Sequence, residues 1–478
     1  MDIVWVASEM TPFSKTGGLA DVAGALPKAL ASRGHRVLAI SPMYKRVQGA
    51  MDSGVKAIVR LFGTEHLVRF FVLDRDGVRW VLVDNPCYQR DGIYADAHGS
   101  YGDNLFRYAL LSRAAIEAAR FLPALDGETL GNEVVFHAND WHTGLLPVYL
   151  KALYQPRGVL TGARVVLGLH NLGHQGMERS DQFAGLDLPG SWWPTLDMHG
   201  FLNPLKAGIV TADALVAVSP TYSRQIMHDH GFGLESLLQA RRSDLVGIVN
   251  GIGPEWDPST DHHLAARFHA GDLRGKAECK RALQRELGLP QRDVPMFSMI
   301  SRLDHQKGID LVQEITPWLL SHDVQLVMLG SGAAEYEQFF RQAEQRWPDR
   351  ARGWVGFNES LAHKIEAGSD VFLMPSRFEP CGLNQLYSMR YGTVPVVHGT
   401  GGLADTVINA SPGRDDATGW VFRPHATEAF RSAVGWALLT MTQFPAAWAR
   451  IRDNGMHRDS SWNRSAGQYE AVYRAVAP

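Results

Sequence analysis

Lys15 stands in the run Lys15-Thr16-Gly17-Gly18-Leu19-Ala20-Asp21, between an apolar stretch and a helical pattern. Two glycines at a helix start let backbone N–H groups approach an anion, and the helix dipole favours negative charge there. Lys15 can add a point charge to a phosphate. The residue order is not that of a Walker A loop, and a tight turn with an exposed lysine is the alternative reading. The run Ser301-Arg302-Leu303-Asp304-His305-Gln306-Lys307-Gly308 occupies the matching strand-to-helix position in the second half of the chain. Arg302 and Lys307 are two cations where a diphosphate would need them; a solvated basic loop is the competing account. A third run, Arg377-Phe378-Glu379-Pro380-Cys381-Gly382-Leu383-Asn384-Gln385, places a carboxylate beside a helix start. Glu379 there can cap the helix or bind hydroxyls. No Cys/His nucleophile pair accompanies Cys381, which reads as a small packed residue.

Two histidine-bearing strand ends complete the set, Asn139-Asp140-Trp141-His142 and Leu169-His170-Asn171. A lone histidine in such a place is more often a hydrogen-bonded packing residue than a catalyst. Asp140 and His142 lack a third metal ligand at a recognised spacing, and no zinc or EF-hand pattern occurs, so the chain reads as metal-independent. The Gly330-Ser331-Gly332 turn is weak evidence alone, and the pair Trp192-Trp193 suits packing as well as sugar stacking.

These residues sit where short apolar strands alternate with amphipathic helices, the signature of parallel α/β sheets. Strands are predicted at Ile3–Ser8, Arg36–Ser41, Trp80–Asp84, Val134–Ala138, Arg164–Leu169 and Ala214–Ser219. A second series follows at Met296–Ser301, Val324–Leu329, Phe372–Pro375 and Val394–Val397, with a helix over Ile309–Leu320. Leu19, Val22, Ala23, Leu26 and Leu30 recur at helical spacing, and Pro27 within them predicts a kink or break. The two series meet at Gly251-Ile252-Gly253-Pro254, and Trp462 to Val476 reads as a terminal amphipathic helix.

A length of 478 residues argues for two domains. With 47 Lys plus Arg against 50 Asp plus Glu, the net charge of −3 leaves no footprint for nucleic acid or an acidic membrane. No signal peptide or spanning stretch is evident. Three scattered cysteines, Cys87, Cys279 and Cys381, suggest a reducing compartment and a cytoplasmic protein.

Taken in order, the segments KTGGLADV, NDWHTGL, LHNLGHQG, VSPTYSRQI, NGIGPEWDP, SRLDHQKG, SRFEPCGLNQLYSMRYG and TGGLADTV resemble bacterial glycogen synthases and plant starch synthases, from Lys15 to Val407. The resemblance implies the GT-B fold: two Rossmann-like α/β domains, 1–251 and 252–456, facing a central cleft, with a terminal helix of about 457–478 returning to the first. It implies a retaining glucosyltransferase, without cofactor, that takes ADP-glucose as donor and glycogen or another α-1,4-glucan as acceptor. Lys15, the Gly18 amide, Arg302 and Lys307 would hold the diphosphate as the cleft closes. Glu379 would sit near the glucose, with the backbone of Cys381, Gly382 and Leu383 on its hydroxyls. His170 would lie beside the anomeric carbon and Asp140 would orient glucose or acceptor. Asp21, Asn250 and Thr400 complete the implied substrate-binding set, and Phe357 would stack on adenine. The chain departs from the family pattern at Asn139 (usually His), Gly253 (Asp), Gly173-His174 (Ala-Tyr), Asn203-Pro204-Leu205 (an aromatic) and Asn384 (Thr).

Overall fold

The computed structural model describes residues 1–96 and 98–477. The chain divides into two compact units, Met1–Gly251 together with the chain from Trp462, and Ile252–Ser461. Residues 457–461, expected with the terminal helix, thus belong to the second unit.

The first unit is built on a nine-stranded sheet. Its strands in chain order are β1 (Asp2–Val6), β2 (Arg36–Pro42), β3 (Met51–Leu61), β4 (Thr64–Arg75), β5 (Val78–Asp84), β6 (Val135–Asn139), β7 (Arg164–Leu169), β8 (Ala214–Ala217) and β9 (Leu245–Gly247). Their spatial order is β9-β8-β7-β6-β1-β2-β5-β4-β3. The seven strands from β9 to β5 run parallel, and β4 and β3 add an antiparallel ribbon at one edge. The central strands are almost wholly buried, which is why they read as continuous apolar runs. The ribbon was not predicted: β3 alternates exposed and buried residues along an outer edge.

Helix α1 (Gly18–Ser32) follows β1 and runs through Pro27 without the break that was one of the two expected outcomes. Val22, Ala23, Leu26 and Leu30 are buried on both sides of the proline. Packing along that whole face outweighs the cost of an interior proline, about 3 kcal/mol for the lost backbone bond and the ring clash together.

The second unit carries a six-stranded parallel sheet of β10 (Met296–Leu303), β11 (Gln325–Gly332), β12 (Ala351–Val355), β13 (Val371–Met374), β14 (Val394–His398) and β15 (Trp420–Phe422). Its order is β12-β11-β10-β13-β14-β15. Helix α2 (Ile309–Leu319) follows β10, α3 (Glu359–Gly368) follows β12, and α4 (Asn384–Arg390) and α5 (Gly401–Thr406) follow β13 and β14. The last helix, α6 (Trp462–Val476), returns to the first unit and buries Trp462, Ala466, Tyr469 and Tyr473 in the core that holds Ile3, Trp5 and Leu30.

Each sheet grows outward in both directions from a central strand. In the first, β1 is flanked by β2 and β6; in the second, β10 is flanked by β11 and β13. Where the winding reverses, the loops after adjacent strands diverge and leave a crevice at their carboxyl ends.

Candidate functional site

Lys15, Gly18 and Asp140 follow the strands that flank the first reversal point, and Lys307 and Glu379 those that flank the second, whereas Asn250 and Phe357 follow the edge strands β9 and β12. In the first unit the loop after β1 carries Lys15 and Gly18, and the loop after β6 carries Asp140. Glu9, only 3% exposed, organises the first loop. Its carboxylate accepts hydrogen bonds from the Thr16 N–H, the Thr16 hydroxyl at 2.7 Å and the Gly17 N–H at 3.3 Å. Burial nevertheless raises its pKa, because the three donors only partly offset the loss of water. With those groups turned back to Glu9, the Gly18 N–H at the start of α1 has no acceptor among the described residues. Lys15 Nζ lies 2.7 Å from Asp21, both partly exposed. Glu9 was missed in the sequence; the only signal was an acid in an apolar run ahead of the glycines.

Asp140 follows β6 with φ +55° and ψ −169°, a left-handed backbone for a non-glycine residue. Its Oδ1 accepts the His170 N–H at 2.7 Å and the Asn171 N–H at 3.4 Å, joining the loops after β6 and β7. Burial pushes its pKa up to about 7, against the pull of those amides and with a smaller push from Glu9. His170 Nε2 is 2.8 Å from Asn139 Oδ1, and burial draws its pKa down to about 4. Asn250 is buried in the same unit, and its Oδ1 has no partner among the described residues.

In the second unit, Arg302 lies on β10 itself, 3.1 Å from Asp304 and 61% exposed. Asp304 caps the short turn His305–Lys307. Lys307 and Glu379, expected to serve different parts of a substrate, form a 2.7 Å ion pair, both well shielded from solvent. The Ser376 hydroxyl donates to the same Glu379 oxygen at 2.9 Å. Gly308 permits this approach: a Cβ there would fall 2.0 Å from the Pro375 carbonyl. The Arg377 N–H donates to Gln306 O at 2.8 Å, and Arg377 pairs with Asp310, tying the two loops together.

Gly382 has φ +74° and Leu383 caps α4. Gln385 Nε2 donates to the carbonyls of Cys381 and Gly382 at 3.1 Å. The amides of Gly382 and Leu383 have no protein acceptor among the described residues. Thr400, 2% exposed, caps α5, and the Gly402 N–H that follows donates to Glu379 O. Phe357, after β12, is 80% exposed. The first unit can therefore present Lys15 and the Gly18 amide to anionic oxygens, and the second can present its own cations and hold a carboxylate and amides near hydroxyls.

Several departures have local accounts. Asn384 Nδ2 donates to Ile300 O at 2.7 Å, anchoring α4 to β10. Asn203 caps the helix Pro204–Thr211 and bonds Gln175. A side chain at Gly253 would meet the Glu255 carboxylate at 2.2 Å, so an acid two residues on occupies that place. Trp193 packs edge-on against Phe183. Cys87, Cys279 and Cys381 form no disulfide among the described residues. Asp261, His262 and His263 bring possible metal ligands within 4.8 Å of one another. The Asp261 carboxylate, however, already accepts from the His263 N–H, His363 Nδ1 and Tyr391 Oη.

Two family models match the chain: starch synthase catalytic domain over residues 2–240, and glycosyl transferases group 1 over 281–450. Starch synthase 1 of Arabidopsis thaliana is 48% identical over 503 residues, spanning 99% of this chain and 77% of the relative. Glycogen synthase of Anaeromyxobacter sp. (strain Fw109-5) is 48% identical over 489 residues, spanning all of both. The structure is similar to the catalytic domain of starch synthase IV from Arabidopsis thaliana bound to ADP and acarbose, with TM-score 0.90, 30% identity and coverage of 100% and 99%. Sucrose-phosphate synthase from Thermosynechococcus elongatus, at 17% identity and TM-score 0.63, shares the fold over 99% and 98%. With motifs, topology and relatives in agreement over nearly its whole length, the chain belongs to the glycogen and starch synthase family of GT-B glycosyltransferases.

Proposed function

We propose that the protein is a glycogen synthase, moving glucose from ADP-glucose to the non-reducing end of an α-1,4-glucan with retention at the anomeric carbon. The full-length likeness to a glycogen synthase carries the reading. The cations at both reversal points supply its chemistry.

The bond from C1 to the diphosphate oxygen breaks with its electron pair on that oxygen. Lys15 of the first unit and Arg302 and Lys307 of the second act on the growing negative charge, with the Gly18 amide. Fixed charges in a poorly hydrated site stabilise it more than reorienting water would. Glu379 holds Lys307 in place and lies near the sugar, whose hydroxyls meet the amides of Gly382 and Leu383 and the backbone of Cys381. Thr400 and Asn250 complete the polar lining, and Asp21 steadies Lys15. Phe357 gives adenine an exposed ring to stack on. Asp140 and His170 face glucose and acceptor. The acceptor hydroxyl attacks C1 from the side that the diphosphate leaves, and its proton passes to the departing phosphate. This front-face route needs no carboxylate nucleophile, and Glu379 is already committed to Lys307.

No described helix is long and apolar enough to cross a membrane. The three cysteines, with no disulfide among the described residues, suit a reducing cytoplasm, where we place the reaction. The test is initial rates of glucose incorporation into glycogen with ADP-glucose and UDP-glucose at matched concentration. We expect glycogen-dependent ADP release and a clear ADP-glucose preference. Faster transfer from UDP-glucose overturns the donor assignment; no nucleotide release from either donor overturns the enzyme.

A further inference from the structure

Asn139 ends β6 and is fully buried. Its amide nitrogen faces two carbonyl oxygens, Val6 O at 2.9 Å and His137 O at 3.4 Å. Carbonyls only accept, so the NH₂ group lies on that side and Oδ1 on the other. Thr143 Oγ1 locks the backbone here by accepting the Asn139 N–H and donating to Asn139 O at 2.9 Å. The amide therefore cannot flip without losing its donors' partners. Its Oδ1 lies 2.8 Å from His170 Nε2, and an amide oxygen cannot donate. The shared proton belongs to His170.

Gly168 makes the approach possible. A Cβ there would fall 2.9 Å from Asn139 Oδ1 and His137 Nε2, and 3.1 Å from His170 Nε2. Three polar atoms converge over a residue without a side chain. Beneath them His137 is stacked on Trp5 at 4.0 Å, with Nδ1 2.9 Å from Tyr473 Oη and Nε2 without a partner among the described residues.

We infer that Asn139 is a positioning residue that fixes His170 in its Nε2–H tautomer, leaving Nδ1 bare to accept a hydrogen bond from a substrate hydroxyl. The inference deepens the proposed function and rests on His170 meeting substrate there. Nδ1 makes no hydrogen bond among the described residues. The charged and titratable groups facing His170 are Asp140, which accepts its N–H, and His137 and His142, whose pKa values burial draws well below the usual imidazole range.

The test combines histidine ¹⁵N chemical shifts with kinetics. In the full-length protein labelled with ¹⁵N-histidine, the His170 signals are those missing in His170→Ala. At pH 7.5 we expect Nε2 protonated and Nδ1 bare; a protonated Nδ1 overturns the inference whatever the activity. Asn139→Leu removes the acceptor, and kcat should fall about tenfold or more while the KM for ADP-glucose stays within about threefold. Unchanged kcat in that variant overturns the positioning role. Asn139→Asp sets an anion against Nε2–H and should move the acid limb of the kcat/KM profile up by about one pH unit or more. An unmoved limb counts against the contact, and this variant decides should Asn139→Leu not fold. If His170→Ala retains full activity, the role of His170 falls while the tautomer measurement still stands.

Discussion

Lys15 and Lys307 are both paired with carboxylates at 2.7 Å, yet the two pairs differ in what their loss would do. Lys15 and Asp21 keep 38% and 28% of their side-chain exposure, so water already screens them. Such a pair is worth at most about 1 kcal/mol. Lys15→Ala should leave the melting temperature nearly unchanged and lower kcat about 100-fold or more, since the cation proposed to act on the leaving group is gone. Lys307 and Glu379 keep only 15% and 9%. Removing the acid strands a largely shielded ammonium, at a cost of up to about 3 kcal/mol. Glu379→Ala should therefore lose both activity and stability. Glu379→Gln retains an acceptor for Lys307 and for Ser376, and should recover part of the stability without the activity. Parallel denaturation and kinetic series check this; equal melting temperatures for Glu379→Ala and wild type would remove the stabilising role of the pair. The motifs made both acids and both lysines visible. Which lysine is open to water and which is largely shielded depends on contacts 72 residues apart in the chain, and local spacing carries no record of those.

The strands buried on both faces announced themselves as apolar runs, because the chain there has no water-facing side. The β3–β4 ribbon did not, since half of its side chains face solvent, and neither did the order of strands within each sheet. Strand order is a long-range property, yet it decides the site by placing β6 beside β1 and β13 beside β10. The loop after β1 shows how an element then tunes its own function. Glu9 spends its carboxylate on Thr16 and Gly17, shaping the turn from which Lys15 and the Gly18 amide project. Glu9→Ala frees those donors and lets the turn relax, and the expected result is a KM for ADP-glucose raised about tenfold. Glu9→Gln, still an acceptor, should fall between the two. Steady-state kinetics of both variants decide it: a KM as in wild type for Glu9→Ala would mean that the turn holds itself.

At the scale of the molecule, the chain leaves the first unit at Gly251, completes the second, and returns at Trp462. The sequence showed α6 as an amphipathic helix; its destination came only from the family resemblance, since an apolar stripe does not say which core it will meet. The structure gives the stripe an address. Tyr469 meets Trp5 edge-on at 6.3 Å, Tyr473 reaches His137, and Arg33 on the turn after α1 bonds Glu470 at 2.8 Å. Helix α6 thus packs beneath β1 and β6, the strands whose ends carry Lys15 and Asp140. Replacing Tyr469 by Ala should cost about 3–5 kcal/mol through the cavity it leaves. The loss should be local in origin: hydrogen exchange should quicken in β1, α1 and β6 and stay slow in β10 and β13, whose cores contain no residue of α6. Glucose transfer should weaken with it, although Tyr469 touches no proposed substrate group. Exchange that quickened equally in both units would mean that α6 supports the whole chain rather than the sheet it completes.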